Sequence, residues 1–156
     1  MSVARLVQKS ALYFVTSSGT PSLVKIANLL EVPQEGGDKT EIDVTNLDSD
    51  RKEFLLGLED GGSVTVNINY DPAETSHQAL RALKDAGTAS QFVVCYSDGV
   101  AAPTYSGGTI TPPTDRSGVV FNALVKQFAV TGAVDNVLKA AVTLRVTGAA
   151  THFDKT

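Results

Sequence analysis

The residue types and spacing that most suggest chemistry in this chain belong to an acidic segment. Counted from Asp48, the spacing of a calcium-binding EF-hand loop puts Asp50 at the third position and Glu59 at the twelfth. Lys52, however, takes the fifth position, where calcium needs an oxygen ligand, and Glu53 stands where the sharp turn needs glycine. We therefore expect a solvated acidic loop and no metal site.

Two histidines and one cysteine are the other candidates for catalysis or metal binding. His77 lies at the start of a predicted helix and His152 near the end of the sequence, without the further ligands of a zinc site. We expect His77 to be an exposed helix residue. Cys95 lies in an apolar run, which is typical of a buried packing thiol. The glycine patterns of phosphate-binding loops and the serine-hydrolase elbow are absent. The sequence therefore predicts no catalytic residue, no cofactor and no enzyme.

A strand with strict period-2 alternation follows the acidic segment. Its apolar side chains, Val64, Val66 and Ile68, fall on one face, and its polar ones fall on the other: Ser63, Thr65, Asn67 and Asn69. Upstream, residues 40–45 and 54–58 are predicted as two more strands. The loop that joins them is polar and charged, and it consists of Asn46, Leu47, Asp48, Ser49, Asp50, Arg51, Lys52 and Glu53.

One helix is predicted, within residues 73–86. Two start signals are present: Asp71 as an N-cap followed by proline, and a capping-box spacing from Thr75 to Gln78. Gly87 is a natural C-terminal stop. An apolar stripe along the helix indicates that one face packs on a sheet. The predicted core combines this stripe with two strands: Val64, Val66, Ile68, Leu80, Leu83, Val142, Leu144 and Val146.

The remaining apolar runs predict further strands. Residues 11–15 and 23–30 form a hairpin, residues 91–96 a buried strand, and residues 97–117 a long loop rich in Gly and Pro. Residues 119–131 form a strand whose apolar phase shifts, which indicates a bulge near Lys126 and Gln127. The last strand ends at Thr147, and residues 148–156 are predicted to be a mobile tail.

Whole-chain properties favour one globular domain over residues 1–156. Hydrophobic residues make up 42% of the 156 and the net charge is −4, which argues against gripping nucleic acid through its phosphates. The single cysteine excludes a disulfide within the chain and fits a reducing cytoplasm. We see no signal peptide and no apolar run long enough to span a bilayer.

The order of these elements resembles the tail tube (major tail) proteins of long-tailed bacteriophages. The resemblance is carried by residues 42–45, Phe54, the glycine-rich stretch 57–62, Tyr70, the following helix and the strand ending at Gly148. It implies a mainly β fold: a β-sandwich or barrel-like pair of antiparallel sheets with one flanking helix. It also implies six-membered rings that stack into a hollow tube, with four strands of each subunit lining the bore.

The resemblance further implies partners and location. The partners would be copies of the same chain and the tape-measure, tail-terminator and tail-tip proteins, with DNA passing through the lumen without specific binding and no membrane involved. The protein would be made and assembled in the host cytoplasm and would reside in the virion tail. The loop of residues 46–53 is then expected to contact a neighbouring subunit or ring. Ser63, Thr65, Asn67 and Asn69 are expected to face the lumen.

A ligand- or carbohydrate-binding β-sandwich is the alternative. Such a module needs exposed aromatic side chains, and the chain has only 6% aromatic residues and no Trp. Rings or tubes seen by electron microscopy would favour the assembly protein, whereas a strict monomer, even with a nucleating partner, would count against it.

Overall fold

The computed structural model describes residues 4, 8–17, 19–33 and 36–156. In that part of the chain the elements, in order, are β1 (Ala11–Val15), β2 (Leu23–Lys25), β3 (Asp38–Asp43), β4 (Phe54–Asp60), β5 (Ser63–Asn69), α1 (Thr75–Ala86), β6 (Ser90–Cys95), β7 (Thr104–Ser106), β8 (Thr109–Thr111), β9 (Gly118–Thr131) and β10 (Lys139–Phe153). The predicted fold class, mainly β with antiparallel sheets and one helix, is confirmed. No helix among these residues is long and apolar enough to cross a membrane.

Six strands form one antiparallel sheet in the order β2-β1-β6-β9-β10-β5. The two longest strands, β9 and β10, lie side by side in it and change register twice, first between Thr143 and Leu144 and again between Thr147 and Thr151. Val125 pairs with Leu144 and Gln127 with Thr143, so Lys126 is the extra residue of a bulge. The predicted bulge is therefore confirmed.

The chain that follows β2 joins the two edges of this sheet. The N–H of Ile26 donates to the carbonyl of Leu12 in β1, and the N–H of Leu30 donates to that of Asn67 in β5. A bridge between Leu29 and Ile68 continues this second contact. The sheet is thus closed into a barrel-like shape, which leaves fewer unpaired backbone groups at its edges.

The predicted strand over residues 23–30 is wrong in its length. The structure ends β2 at Lys25, and Asn28 adopts a left-handed φ of 59°, which regular β-structure does not allow. The chain needs this break because it leaves β1 and turns toward β5. In addition, β3 begins at Asp38, two residues before the predicted start at Thr40.

Helix α1 packs one face against the core. Its N-cap is Glu74, which makes no side-chain capping bond, so neither predicted capping arrangement is formed; the Asp71 carboxylate accepts instead from the N–H of Ala73. Gly87 has a φ of 67° and donates to the carbonyl of Leu83, as a C-terminal stop should. The predicted core is confirmed, because all eight of its members are buried.

Truncating Leu83 should reveal how much the helix contributes to stability. Leu83 is 1% exposed, so Leu83→Ala should lower the free energy of unfolding by about 2–5 kcal/mol. Urea unfolding followed by circular dichroism measures this, with the exposed neighbour Asp85→Ala as control. An unchanged unfolding midpoint for Leu83→Ala would mean that the helix does not dock on the sheet.

The predicted long loop over residues 97–117 is wrong in part, because it contains the hairpin of β7 and β8. Gly107 and Gly108 have φ values of 59° and 83°, the left-handed conformation that a two-residue hairpin turn requires. Ile110 of this hairpin packs against Val93 and Cys95 of β6. The hairpin therefore covers the side of β6 that faces away from the main core.

The last strand is longer than predicted. β10 runs to Phe153, with Thr151 paired to Val120 and Phe153 to Gly118, so its predicted end at Thr147 is wrong. The N–H of Lys155 donates to the Ser117 hydroxyl. These partners give residues 148–156 a defined course. Their mobility in an isolated subunit concerns dynamics and stays a prediction.

Candidate assembly surfaces

Strands β3 and β4 form a ribbon that we call the arm (residues 38–60). They pair with each other, and neither pairs with a third strand in the part of the chain that the structure describes. Every residue of β3 is exposed, as is every residue of β4 except the half-buried Gly57. The arm therefore contributes little to the core of its own subunit.

The predicted loop of residues 46–53 forms the end of the arm and is held by local hydrogen bonds. The N–H of Val44 donates to the carbonyl of Glu53, and the N–H of Glu53 donates to the Thr45 hydroxyl. The Ser49 hydroxyl donates to the Glu53 carboxylate. The Leu47 side chain is fully exposed. The loop is thus an ordered, solvent-facing structure at the place where the sequence predicted it.

The arm carries an unusual number of exposed apolar side chains. They lie on both strands and in the loop: Ile42, Val44, Leu47, Phe54, Leu55, Leu56 and Leu58. Exposed apolar side chains concentrated in one element of a folded domain indicate a site that another molecule covers. This observation makes the arm the leading candidate for an association surface.

The base of the arm is fixed to β10 by an ion pair. Nη2 of Arg145 lies 2.7 and 2.9 Å from the two carboxylate oxygens of Asp60. The backbone N–H of Gly62 also donates to this carboxylate, and the hydrogen bond from Gly62 followed by that from Arg145 lowers the pKa of Asp60. At Gly61 a Cβ would lie 2.6 Å from Val146, so the close approach of arm and sheet requires glycine there.

A second surface is the open polar face of β5, β10 and β9, which we call the polar face. The predicted alternation of β5 is confirmed: Val64, Val66 and Ile68 are buried, and the other side chains are exposed or half-buried. Cross-strand partners extend this face with hydroxyl, amide and methyl groups and two cations on the two neighbouring strands. Its members on the three strands are Ser63, Thr65, Asn67, Asn69, Lys139, Ala141, Thr143, Arg145, Gln127, Ala129 and Thr131.

His77 is not exposed, which corrects the prediction made from its position in the first turn of the helix. Its side chain is fully buried, with Nε2 2.8 Å from the carbonyl oxygen of Ala27 and Nδ1 3.1 Å from the backbone nitrogen of Asp71. The N–H of Ala27 donates to the buried Ser76 hydroxyl. Ser76 and His77 thus provide hydrogen-bond partners for the N–H and the carbonyl of Ala27, which lies in the segment that leads from β1 to β5. His77 has a structural role.

Arg116 is a buried charge that the sequence did not reveal. Its guanidinium donates to four backbone carbonyls, those of Tyr96 (2.9 Å), Ala101 (3.1 Å), Cys95 (3.2 Å) and Lys9 (3.3 Å). The side chain therefore ties the segment before β1 and the loop after β6 to the start of β9. Its bonds all go to the backbone, which indicates a structural role.

The other candidates for chemistry do not come together. Cys95 is buried, as predicted, and burial raises the pKa of its thiol to about 11. Among the described residues, no three His, Cys, Asp or Glu side chains lie close enough to hold a metal ion. What the structure offers is surfaces for association.

A family model described as phage tail tube, TTP, lambda-like matches residues 3–156. The chain belongs to this family of phage tail tube proteins. It is 31% identical over 113 residues to "Structural protein 3" of Pseudomonas phage PAJU2, a match that covers 69% of each chain. The predicted resemblance is therefore confirmed, and this tail tube protein is a structural protein of a phage tail.

Solved structures show the same fold. The SPP1 tail tube protein superposes with a TM-score of 0.72 at 10% identity, over 97% of this chain and 80% of that one. A chain from the tail of an empty gene transfer agent particle superposes with a TM-score of 0.67 at 18% identity, over 96% of this chain and 99% of that one. A chain from the anti-feeding prophage baseplate superposes with a TM-score of 0.67 at 11% identity, over 99% of this chain and 98% of that one. The alternative of a ligand-binding β-sandwich is not favoured.

Proposed function

We propose that this tail tube protein assembles into stacked six-membered rings that form the hollow tube through which phage DNA passes. The observation that carries the proposal is the arm, whose exposed apolar residues need a partner. Six-fold rings are supported by two relatives in fold, the gene transfer agent tail refined with C6 symmetry and the six-fold symmetrised prophage baseplate. A head-to-tail contact repeated from subunit to subunit gives a ring when the successive rotations add up to a full turn.

The polar face is the surface that suits the lumen. Its β5 members, Ser63, Thr65, Asn67 and Asn69, are uncharged. Of its two cations, Arg145 is paired with Asp60, and Lys139 is the other. Each phosphate that a channel wall neutralises adds salt-dependent affinity for DNA, so a wall with few free cations lets DNA pass without holding it. The protein would act without catalysis.

The remaining partners follow from the same proposal. Rings would assemble in the host cytoplasm around a tape-measure protein, between a tail-tip and a tail-terminator protein. The loop of residues 46–53 would contact a neighbouring subunit or ring. It is longer than the roughly 2–5 residues of an economical hairpin turn, and its hydrogen bonds run between residues of the arm itself.

Reversing two charges in this loop should abolish tubes and leave the monomer folded. Asp50→Arg combined with Arg51→Asp exchanges the two charges, so each would meet a group of the wrong sign at the proposed contact. Complementary charges at a contact fix register and reject wrong partners. A second variant shortens residues 46–52 to a tight turn. The measurement is a pair: thermal melting of the monomer, and tube counts by negative-stain microscopy. The melting temperature should stay within a few degrees of wild type, since exposed substitutions typically change stability by less than about 0.5 kcal/mol.

The matched control is a charge reversal of two adjacent exposed residues on the helix, Lys84→Asp with Asp85→Lys, which should leave tube counts unchanged. Normal tubes from the shortened variant would remove the loop from the assembly mechanism. A wild-type protein that stays monomeric at high concentration, with its nucleating partner present, would contradict the proposed function itself.

A further inference from the structure

The two cations of the polar face lie at opposite ends of the part of β10 that pairs with β5. Arg145 is opposite Ser63, and Lys139 is opposite Asn69. Arg145 has a partner, because its guanidinium lies 2.7 Å from the carboxylate of Asp60, which the arm supplies. Lys139 is exposed, so its surroundings decide whether this end of the face can hold a phosphate.

Glu31 is held over this end of the polar face by the segment that joins the two edges of the sheet. Leu30 donates its N–H to the carbonyl of Asn67, which places the segment alongside β5. The Glu31 carboxylate accepts a hydrogen bond of 2.5 Å from the side-chain amide of Asn67. Because Asn67 belongs to the polar face, this contact brings a negative charge to that face from outside its three strands.

Glu31 and Lys139 line the same hollow. Its volume is about 370 Å³, and its other lining residues are Leu30, Asn67, Thr131, Ala140 and Ala141. Asn67 pairs with Ala141, so Lys139 is its diagonal neighbour on the adjacent strand, and such neighbours are about 7–8 Å apart. The flexible four-carbon stem of lysine can cross that separation, which brings its ammonium to the carboxylate that Asn67 holds.

We propose that Glu31 neutralises Lys139 as Asp60 neutralises Arg145, so that the wall of the lumen leaves neither cation free to hold DNA. The inference rests on the proposed function, in which the polar face lines the lumen. An exposed ion pair contributes little to folding, so the value of this one lies in the field of the wall. Six-membered rings would repeat an unpaired Lys139 six times at one level of the tube, and each phosphate contact adds affinity.

Glu31→Gln tests the proposal directly. Glutamine keeps the length of the side chain and can still accept from Asn67, but it leaves Lys139 without a carboxylate. The variant should fold and form tubes like wild type, and its tubes should retain short linear double-stranded DNA more than about tenfold better at about 50 mM salt. This gain should fall steeply toward about 200 mM salt, because each phosphate contact adds about −0.9 to the slope of log affinity against log salt. Cosedimentation of tubes with fluorescent DNA measures both.

Two further variants separate the proposed pair from a general change in charge. Glu31→Gln combined with Lys139→Gln removes both charges and should return DNA retention to the wild-type level. Asp85→Asn removes one exposed carboxylate on the helix, outside the polar face, and should retain no more DNA than wild type. An equal gain from Asp85→Asn, or no rescue by the double variant, would overturn the assignment of Glu31 to Lys139.

DNA that carries a bulky protein on each end cannot thread into a tube, and it should show no gain with Glu31→Gln. An equal gain with this blocked DNA would place the charge outside the lumen and overturn the inference, although the tubes themselves would stand. Wild-type retention by Glu31→Gln tubes would overturn it as well, as would loss of folding or of tubes, which would give Glu31 a structural role. Absence of tubes from the wild-type protein with its nucleating partner would instead contradict the proposed function.

Discussion

Replacing Arg116 with methionine should lower the free energy of unfolding by about 3–5 kcal/mol, the loss expected when one side of a buried charged network is removed. Methionine keeps much of the apolar stem but donates no hydrogen bond. The carbonyls of Cys95 and Tyr96 would then lose a charged donor in a part of the protein that water reaches poorly. A domain at the lower end of ordinary stability, about 5 kcal/mol, would be left only marginally folded.

Urea unfolding followed by circular dichroism measures this loss. Arg116→Lys keeps the charge but cannot reproduce the planar fork of donors, so it should fall between Arg116→Met and wild type. Arg81 is exposed and bonds only the Tyr70 hydroxyl among the contacts described, so Arg81→Met should cost less than about 1 kcal/mol. If the free energy of unfolding of Arg116→Met lies within about 1 kcal/mol of the wild-type value, the four carbonyl contacts do not stabilise the fold.

Replacing His77 with alanine should cost about 2–4 kcal/mol, since it opens a cavity and leaves buried backbone groups without partners. The imidazole bonds the Ala27 carbonyl and the Asp71 backbone and stacks on the Tyr70 ring, whose centroid is 5.9 Å away. Its loss should loosen the segment that joins the two edges of the sheet. Faster hydrogen exchange at residues 26–30 should therefore accompany the lower stability.

The control for His77→Ala lies on the same helix. Lys84 is exposed, so Lys84→Ala should change stability by less than about 0.5 kcal/mol and leave exchange at residues 26–30 unchanged. Equal effects from the two variants would mean that His77 acts only through helix propensity. Unchanged exchange at residues 26–30 in a destabilised His77→Ala would show that the histidine does not hold the sheet closed.

The parts of the fold that the sequence predicted correctly depend on local patterns. Alternation over β5, the glycine stop at Gly87 and the phase shift at Lys126 each follow from a few neighbouring residues. The same holds for the position of the loop at the end of the arm. These features could be predicted because their physical causes lie within one element or turn.

Features that were missed depend on contacts between distant segments, with one exception. His77 was expected to be exposed because of its residue type, and its burial follows from its contact with the Ala27 carbonyl, 50 residues earlier in the chain. Arg116 has no local signal at all, because its partners are carbonyls 15 to 107 residues away. The exception is the β7–β8 hairpin, whose Gly-Gly pair between short runs of strand-forming residues was a readable turn signal.

The candidate site was predicted in part. The position of the loop and the polar row of β5 could be named from the sequence, but the independence of the arm could not. An apolar run such as residues 54–58 normally belongs to a buried strand. Its exposure follows from the absence of a third strand beside the ribbon in the described structure, which is a tertiary property.

The buried thiol makes the natural sequence ready for site-specific labelling. Cys95 is the single cysteine, and a pKa near 11 leaves almost none of it as the reactive thiolate at neutral pH. A cysteine introduced at Ser63, on the polar face, would therefore carry a maleimide dye alone. In the proposed tube, with the polar face lining the lumen, a quencher attached to a bulky polymer that cannot enter would reach that dye in free subunits and lose access as tubes grow. The same dye placed at Val100 would report whether an exposed residue outside the polar face stays accessible.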